Sequence, residues 1–468
     1  MATIRRLLIG ETGSALLIAL GAMLILTVLS VGLMSMAQND LASSGREKKS
    51  TQALHVAEAG IDRALWQLKR LGTVSPSSFE VQTSLGTATV TSSQDAGEQY
   101  LWTISSTGEV SDGVKRLIKV DVFNLSYWNM VMASETLTAS GGGVNGTTSV
   151  DGPFYVRGNL ELSGSSEVTG GPLFIKDGKL ILSSNGSSVG TVDEPIVLYL
   201  EQGYEKNNEN AGLYYSSLSY NVPNINLPLL GETEMQERQI DAKNQSVDNE
   251  KGYTGLAADE STSYSRKYPG VGSGYYKVVD NNSTIATPVG SGTPSLVISA
   301  ITPSFGDPGT EASPKDDFAW DLATKTLTVR GTVFVDGPVV ISTDIEYQGN
   351  GAIVANGDIT IQNDVLAADT FPTSSCLGFV SPDTVNIDNP SSNSSLTPNI
   401  EIAIFALQKV SVQRTVCIKG AVLTRNLDFA HPNGHLLTAP DLPGNLPEAM
   451  PGATENFTLT SGWHEGKP

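Results

Sequence analysis

The chain has 468 residues, with 29 Lys and Arg against 49 Asp and Glu, a formal net charge of −20. That acidic excess argues against a nucleic-acid binder, which needs a cationic face for phosphate. The 47 Gly and 23 Pro are too few and too irregular for a collagen-like or disordered chain. The length suggests two to three domains. Only 17% of residues are charged, and Ser, Thr, Gly and Asn fill the gap, the balance of an exported, β-rich protein.

From Ser14 to Ala37 runs SALLIALGAMLILTVLSVGLMSMA, 24 residues without a charge. As a helix it is about 36 Å long, enough to cross a bilayer core of roughly 30 Å. Arg5 and Arg6 precede it, which predicts a cytoplasmic N-terminus and an exported remainder. Arg46, Lys48 and Lys49 on the far side work against that orientation. A cleaved secretory signal ending at Ser35-Met36-Ala37 is the alternative. Against it, residues 41–71 stay helix-compatible without proline, with Leu54, Ala57, Ile61, Ala64, Leu65 and Leu68 spaced by three and four. These make one apolar stripe. Lys69 and Arg70 favour the helix dipole at its C-terminal end, and Gly72 is a stop. Residues 14–71 therefore read as one helix, apolar all round at first and amphipathic later.

Phe79 to Phe123 alternate apolar and polar residues in VQTSLGTATVTS, QYLWTISSTGEV and VKRLIKVDVF, a small antiparallel sheet that would cover the helix stripe. Beyond Ser140 a different template recurs: a short apolar run, a turn, then alternation. It reads FYVRGNLEL, LFIKDGKLIL, VFVDGPVVI and AIVANGDITI, and more loosely FVSPDTVNI, IFALQKVSV and AVLTRNLDF. Its turn residues Gly158, Gly178, Gly337, Gly357, Asp383, Gln408 and Arg425 recur at a period near 20 residues, the pattern of a β-solenoid. A β-sandwich is the alternative. The fold class expected is α+β followed by mainly β.

Residues 201–282 break that pattern and are polar and Tyr- and Asn-rich. Loops of this length usually carry function. Tyr204, Tyr214, Tyr215, Tyr220, Tyr264, Tyr268, Tyr275 and Tyr276 are therefore candidates for a glycan- or protein-binding face, against the plainer reading that they pack the insertion down.

Catalytic signals are weak. Asp316-Asp317, Asp336 and Asp358 could supply a glycosidase carboxylate pair, but acidic turns are common in a chain with 49 acids. His431 and His435 in HPNGH lack both the helix and the adjacent glutamate of a zinc protease. Asp280, Asp383 and Asp388 lie in Asn-rich turns without calcium-loop spacing. No nucleophile elbow or phosphate loop occurs. The chain reads as a non-enzyme without a cofactor or metal. Cys376 and Cys417, its only cysteines, are expected to form one disulfide in an oxidising compartment, two separate buried thiols being the alternative.

The basic leader, the run Gly13-Ser14-Ala15-Leu16-Leu17 and the later Ala57-Glu58-Ala59-Gly60 resemble the N-terminal domain of PilX-type minor pilins of type IV pilus systems. FAWDLATKTLTVRGTVFVDGPVVIS and the closing segment with Trp463-His464-Glu465 are similar to the C-terminal parts of long members of that family. The resemblance implies cleavage by a prepilin peptidase between Gly13 and Ser14, with Gly10 as the competing site. It also implies docking onto other pilin and minor pilin subunits through the helix. One departure stands out: major pilins carry a glutamate at the fifth mature position, where this chain has Ile18, and no carboxylate occurs between Ser14 and Asp40. Lacking that charge, the chain is expected in low copy, in assembly, priming or tip display, the alternative being that it assembles through another contact.

The expected organisation is a leader over 1–13, a transmembrane helix over 14–37, and an amphipathic helix with its sheet over 38–130. A first solenoid part over 131–200, the insertion over 201–282, and a second solenoid part with a C-terminal strand over 283–468 follow. The expected location is the membrane, single-pass, then the cell surface or pilus. A membrane-anchored adhesin or glycan-binding protein and, behind it, a polysaccharide-degrading enzyme are the competing functions.

Overall fold

The computed structural model describes residues 3–71, 74–95, 101–139, 148–244, 278–280, 283–285, 296–302, 304, 306–310, 313–314, 318–335, 337–388, 397–429, 434–453 and 456–466. The chain forms two compact units, 1–124 with 458–468, and 125–457.

In the first unit, helix α1 (Thr3–Leu71) runs without a break. Strands β1 (Ser78–Gln82), β2 (Gly86–Gln94), β3 (Leu101–Val110) and β4 (Lys115–Ser126) form an antiparallel meander. The final strand, Asn456–Gly466, adds a fifth position beside β4. The Trp463-His464-Glu465 element thus belongs to this sheet and not to the solenoid.

Ala53, Val56, Ala57, Ile61, Ala64 and Leu68 are buried on the sheet, while Leu54 and Leu65 are half-buried at its margin. The stripe is therefore richer in small residues than the expected leucine-led one. Small residues let the helix backbone come down onto the strands. A methyl group at Gly60 would collide with Ser106 Oγ and with Val90 and Ala88. One at Gly108 of β3 would collide with the Ala53 carbonyl oxygen and lie 2.5 Å from the Ala57 nitrogen. Ala88 faces Gly108 and Val90 faces Ser106 in the β2–β3 register, so these four residues make the floor under Gly60. Polar contacts guard the rim: Lys49 pairs with Asp112, and Arg116 Nε donates to Ser50 Oγ at 2.7 Å.

The second unit is a β-helix-like solenoid of parallel ladders. Among the described residues, one ladder stacks ten strands in the order Gly331–Val335, Asn350–Ala355, Cys376–Ser381, Ile400–Val412, Val416–Phe429, Val131–Ala139, Phe154–Arg157, Leu173–Lys176, Ile196–Leu200 and Tyr215–Ser219. Val333, Ile353, Phe379, Ile404, Val422, Val131, Phe154, Leu173 and Leu198 fall in one register column and are all buried. A second column, Ile341, Ile361, Ile387, Val412 and Phe429, does the same on the next ladder. Each such side chain contributes about 1.5–3 kcal/mol of burial. Where a coil turns between ladders, stacking is close enough that a methyl at Gly178 would meet the Gly158 backbone.

The stacking order differs from the chain order. Val131–Ala139, first in sequence, lies on Val416–Phe429, nearly the last. Two runs of coils thus meet at their outer ends in sequence, and the segment between them joins the two far ends of the stack. It is a connector, not an interruption, and it begins after Ser219 instead of Leu200, because Tyr204–Lys206, Gly212–Leu213 and Tyr215–Ser219 still make ladder pairs.

Its first part, residues 221–231, crosses the rungs as an extended strap. The Val222 carbonyl accepts from Lys176 Nζ at 3.4 Å, Asn224 Oδ1 from an Arg157 nitrogen at 3.1 Å, and the Ile225 N–H donates to the Tyr155 hydroxyl at 3.3 Å. Further along, it lies by Ser134, Arg425 and Leu407, one rung after another. Val222, Ile225 and Pro228 are buried at intervals of three, the period of a polyproline-like chain. Beneath it Tyr155, Phe174 and Tyr199 are in register, with ring centroids 6.5 Å and 4.8 Å apart. Helix α2 (Glu232–Asn244) then packs against Gly331–Val335 at the opposite end.

The helix–sheet contact sets a prediction. Gly108→Ala should destabilise the first unit by about 1–3 kcal/mol, because the new methyl meets helix backbone that has nowhere to move. Ser106→Ala should be neutral or slightly stabilising, since the Ser106 hydroxyl is buried without a hydrogen-bond partner. Hydrogen exchange of the β3 amides in the detergent-solubilised protein distinguishes the two substitutions.

Candidate functional site

The exposed half of α1 is the most unusual surface of the molecule. Leu16, Ile18, Leu20, Met23, Leu24, Ile25, Leu26, Val28, Leu29, Val31, Leu33, Met34 and Met36 are all exposed, a patch far larger than a water-soluble surface tolerates. Among the described residues this is the one helix long and apolar enough to cross a membrane. Two of its hydroxyls are satisfied within the helix: Thr27 Oγ1 donates to the Met23 carbonyl and Ser30 Oγ to the Leu26 carbonyl, each at 2.7 Å. Bonding a hydroxyl back to its own helix lowers the cost of placing it where no water can serve as partner. Gly13 and Ser14 fall in the first turns of this helix, but their side chains lie outside the described residues.

Charge divides sharply between the units. Residues 1–124 with 458–468 carry 12 Lys and Arg and 12 Asp and Glu, whereas 125–457 carry 17 against 37. The whole net charge therefore sits on the solenoid. Part of it is paired between neighbouring rungs, Lys176 with Glu201 at 2.6 Å, Lys409 with Asp428 at 2.6 Å and Lys419 with Glu401 at 3.1 Å. The hydrogen bond from Lys176 lowers the Glu201 carboxyl below its usual range.

Of the candidate tyrosines, Tyr204, Tyr214, Tyr215 and Tyr220 are exposed on the terminal coil of the solenoid. The hydroxyl of Tyr204 lies against Tyr215, whose proximity raises its pKa. Tyr264, Tyr268, Tyr275 and Tyr276 lie outside the described residues, so the structure brings together half of the expected face.

The catalytic candidates are not assembled. Asp316, Asp317 and Asp336 lie outside the described residues. Asp358 Oδ1 accepts from the Thr384 N–H at 3.0 Å, tying one rung to the next. Asp388 pairs with Arg414 at 3.1 Å, and the Asp383 carbonyl accepts from Gln408. Among the described residues no group of three or more His, Cys, Asp or Glu could hold a metal ion. His431 lies outside the described residues. His435 Nδ1 is 2.6 Å from Ser149 Oγ on the adjacent rung, and burial lowers its pKa, opposed by Glu167.

The expected disulfide is not formed: Cys376 and Cys417 are both free and buried. Their strands are separated by the whole of Ile400–Val412. Two rungs are about 9.6 Å, beyond the roughly 7 Å Cα separation that a disulfide spans. Burial pushes the thiols up to about 12 and about 11.

No family model matches the chain, and no curated protein matches it. Among solved structures it is similar to the competence-associated pilin ComZ from Thermus thermophilus, at 13% identity and a TM-score of 0.44, over 89% of this chain and 97% of that one. So distant a likeness carries no assignment by itself.

Two predictions test the interior. A thiol reagent should label neither cysteine in the folded protein and both after denaturation without reductant, counted by intact mass. For His435 the folded pKa is depressed, so the unfolded chain takes up the proton first. Stability should therefore begin to fall as pH drops through about 6.5. In His435→Gln that part of the fall should vanish, read from urea midpoints between pH 7.5 and 5.5.

Proposed function

We propose that this chain is a minor pilin-like structural subunit of a type IV pilus system, acting in assembly, priming or tip display. The observation that carries the reading is the two-part helix. One unbroken rod leaves the apolar residues from Ile18 to Met36 exposed and seats its second half on an antiparallel meander. That division suits a subunit stored in the membrane and later packed among other helices. The sequence resemblance to PilX-type minor pilins at Gly13–Leu17 and Ala57–Gly60 supports it. In this reading a prepilin peptidase removes residues 1–13, the N-terminus faces the cytoplasm and both folded units are exported.

The absence of a carboxylate between Ser14 and Asp40 supports the low-copy role. A helix without a buried acid is less costly to hold in lipid, and it offers no ion pair for repeated addition. The reaction is helix docking without bond chemistry, and the solenoid is the part displayed. The exposed tyrosines of the terminal coil favour a second reading of that displayed part, contact with a surface ligand such as a glycan.

The deciding experiment is the mature N-terminus, by mass spectrometry of protein from cells with and without the peptidase. A chain starting at Ser14 only when the peptidase is present is the expected result. A chain starting at Met1 or near Gln38 in both strains would remove the assignment.

A further inference from the structure

The face of α1 turned away from the sheet carries a cation–aromatic stripe that the helix–sheet contact does not use. Arg63, Trp66 and Arg70 are spaced by three and four and share one face, with Lys69 beside them. The Arg63 guanidinium lies 4.4 Å and the Arg70 guanidinium 5.3 Å from the Trp66 ring centre. Trp66 is nonetheless 44% exposed. Interfaces are enriched in tryptophan and arginine because both combine large contact area with few lost rotamers or with directed hydrogen bonds. Both guanidinium groups thus lie within cation–π distance of the same ring.

Charge identifies the partner. The unit that bears the stripe is electrically balanced, 12 against 12, and no acid occurs from Arg63 to Arg70, Asp62 standing just before them. The other unit holds 17 cations against 37 acids. Lipid headgroups are out of reach in the reading above: Arg63 lies 26 residues beyond Ala37, about 40 Å along the helix. A nucleic acid would meet the net −20 of the whole chain.

We propose that the Arg63–Trp66–Arg70 stripe is an assembly contact that docks onto the acidic solenoid of a second copy of this chain. A contact between two different surfaces of like molecules is heterologous, and in a low-copy subunit it joins only a few copies. This names a subunit contact for the pilus reading and rests on it, while its test involves neither the leader nor the peptidase, so the two can fail separately.

The test uses full-length protein in detergent, an equal mixture of natural-isotope and 15N-labelled chains. A carbodiimide couples the Lys69 amine to carboxylates in contact with it. The expected products are mixed-isotope peptides joining Lys69 to Asp or Glu within 125–457, abundant at about 0.02 M salt and scarce at about 0.5 M, where screening is nearly complete. In sedimentation, Arg63→Gln with Arg70→Gln should weaken self-association at least about tenfold. Circular dichroism should be unchanged, because these side chains are exposed. Products confined to single-isotope pairs, or equal association of variant and parent, would overturn the proposal. So would retention of a labelled oligonucleotide by the parent but not the variant, with self-association unaffected.

Discussion

Between Ala53 and Leu68 the helix and the sheet approach each other through glycine and alanine, and the architecture of the first unit depends on that spacing. Gly60 leaves room for Ser106 and Val90, while Gly108 leaves room for the backbone at Ala53 and Ala57. Because the contact is made partly by main chain, a rotation of the helix that brought a larger side chain, such as Trp66, onto β3 would collide with the strand. Fixing that rotation also fixes which side chains of the first half stand in line with the sheet and which do not.

The solenoid obeys a different constraint. Each coil presents apolar columns that only another coil can cover, and the stack is completed by setting the first coil in sequence onto the last. The solenoid's entrance and exit segments are therefore brought together: Trp128 Nε1 donates to the Pro451 carbonyl at 3.0 Å and Asn129 Nδ2 to the Pro440 carbonyl at 3.2 Å. The cost of that arrangement is a connector that travels the length of the stack. The strap at 221–231 makes the crossing useful, because it buries Val222, Ile225 and Pro228 and bonds the Ile225 N–H to the hydroxyl of Tyr155 on the way. The final strand then leaves the solenoid and completes the sheet beside β4.

Much of this was legible in the residues. A charge-free run followed by three-and-four spacing specified α1, and strict alternation specified β2, β3 and β4. Turn residues from Gly337 onward recur in nearly the same steps as the register columns. The order of the coils was not legible, because every coil carries the same apolar pattern and any one could stack on any other. Residues 221–230 read as a polar loop, since a buried period of three is neither helical nor strand-like. The disulfide expectation failed for a similar reason: spacing along the chain says nothing about how many rungs separate Cys376 from Cys417. On the helix, the Ala57–Gly60 motif was noticed for its resemblance, whereas its physical basis is the close approach at Ser106.

The central claim is that α1 is a single rod with a lipid-facing half and a sheet-clamped half. Spin labels placed singly from Ile18 to Met36 and from Ala53 to Leu68, in protein reconstituted into bilayers, test it directly. Collision with oxygen should be high at every position in the first span, on all sides of the helix. In the second span, accessibility to a water-soluble relaxant should rise and fall with a 3.6-residue period, lowest at Ala57, Ile61 and Ala64. Strong contact with the water-soluble relaxant throughout the first span, or no periodicity in the second, would contradict it.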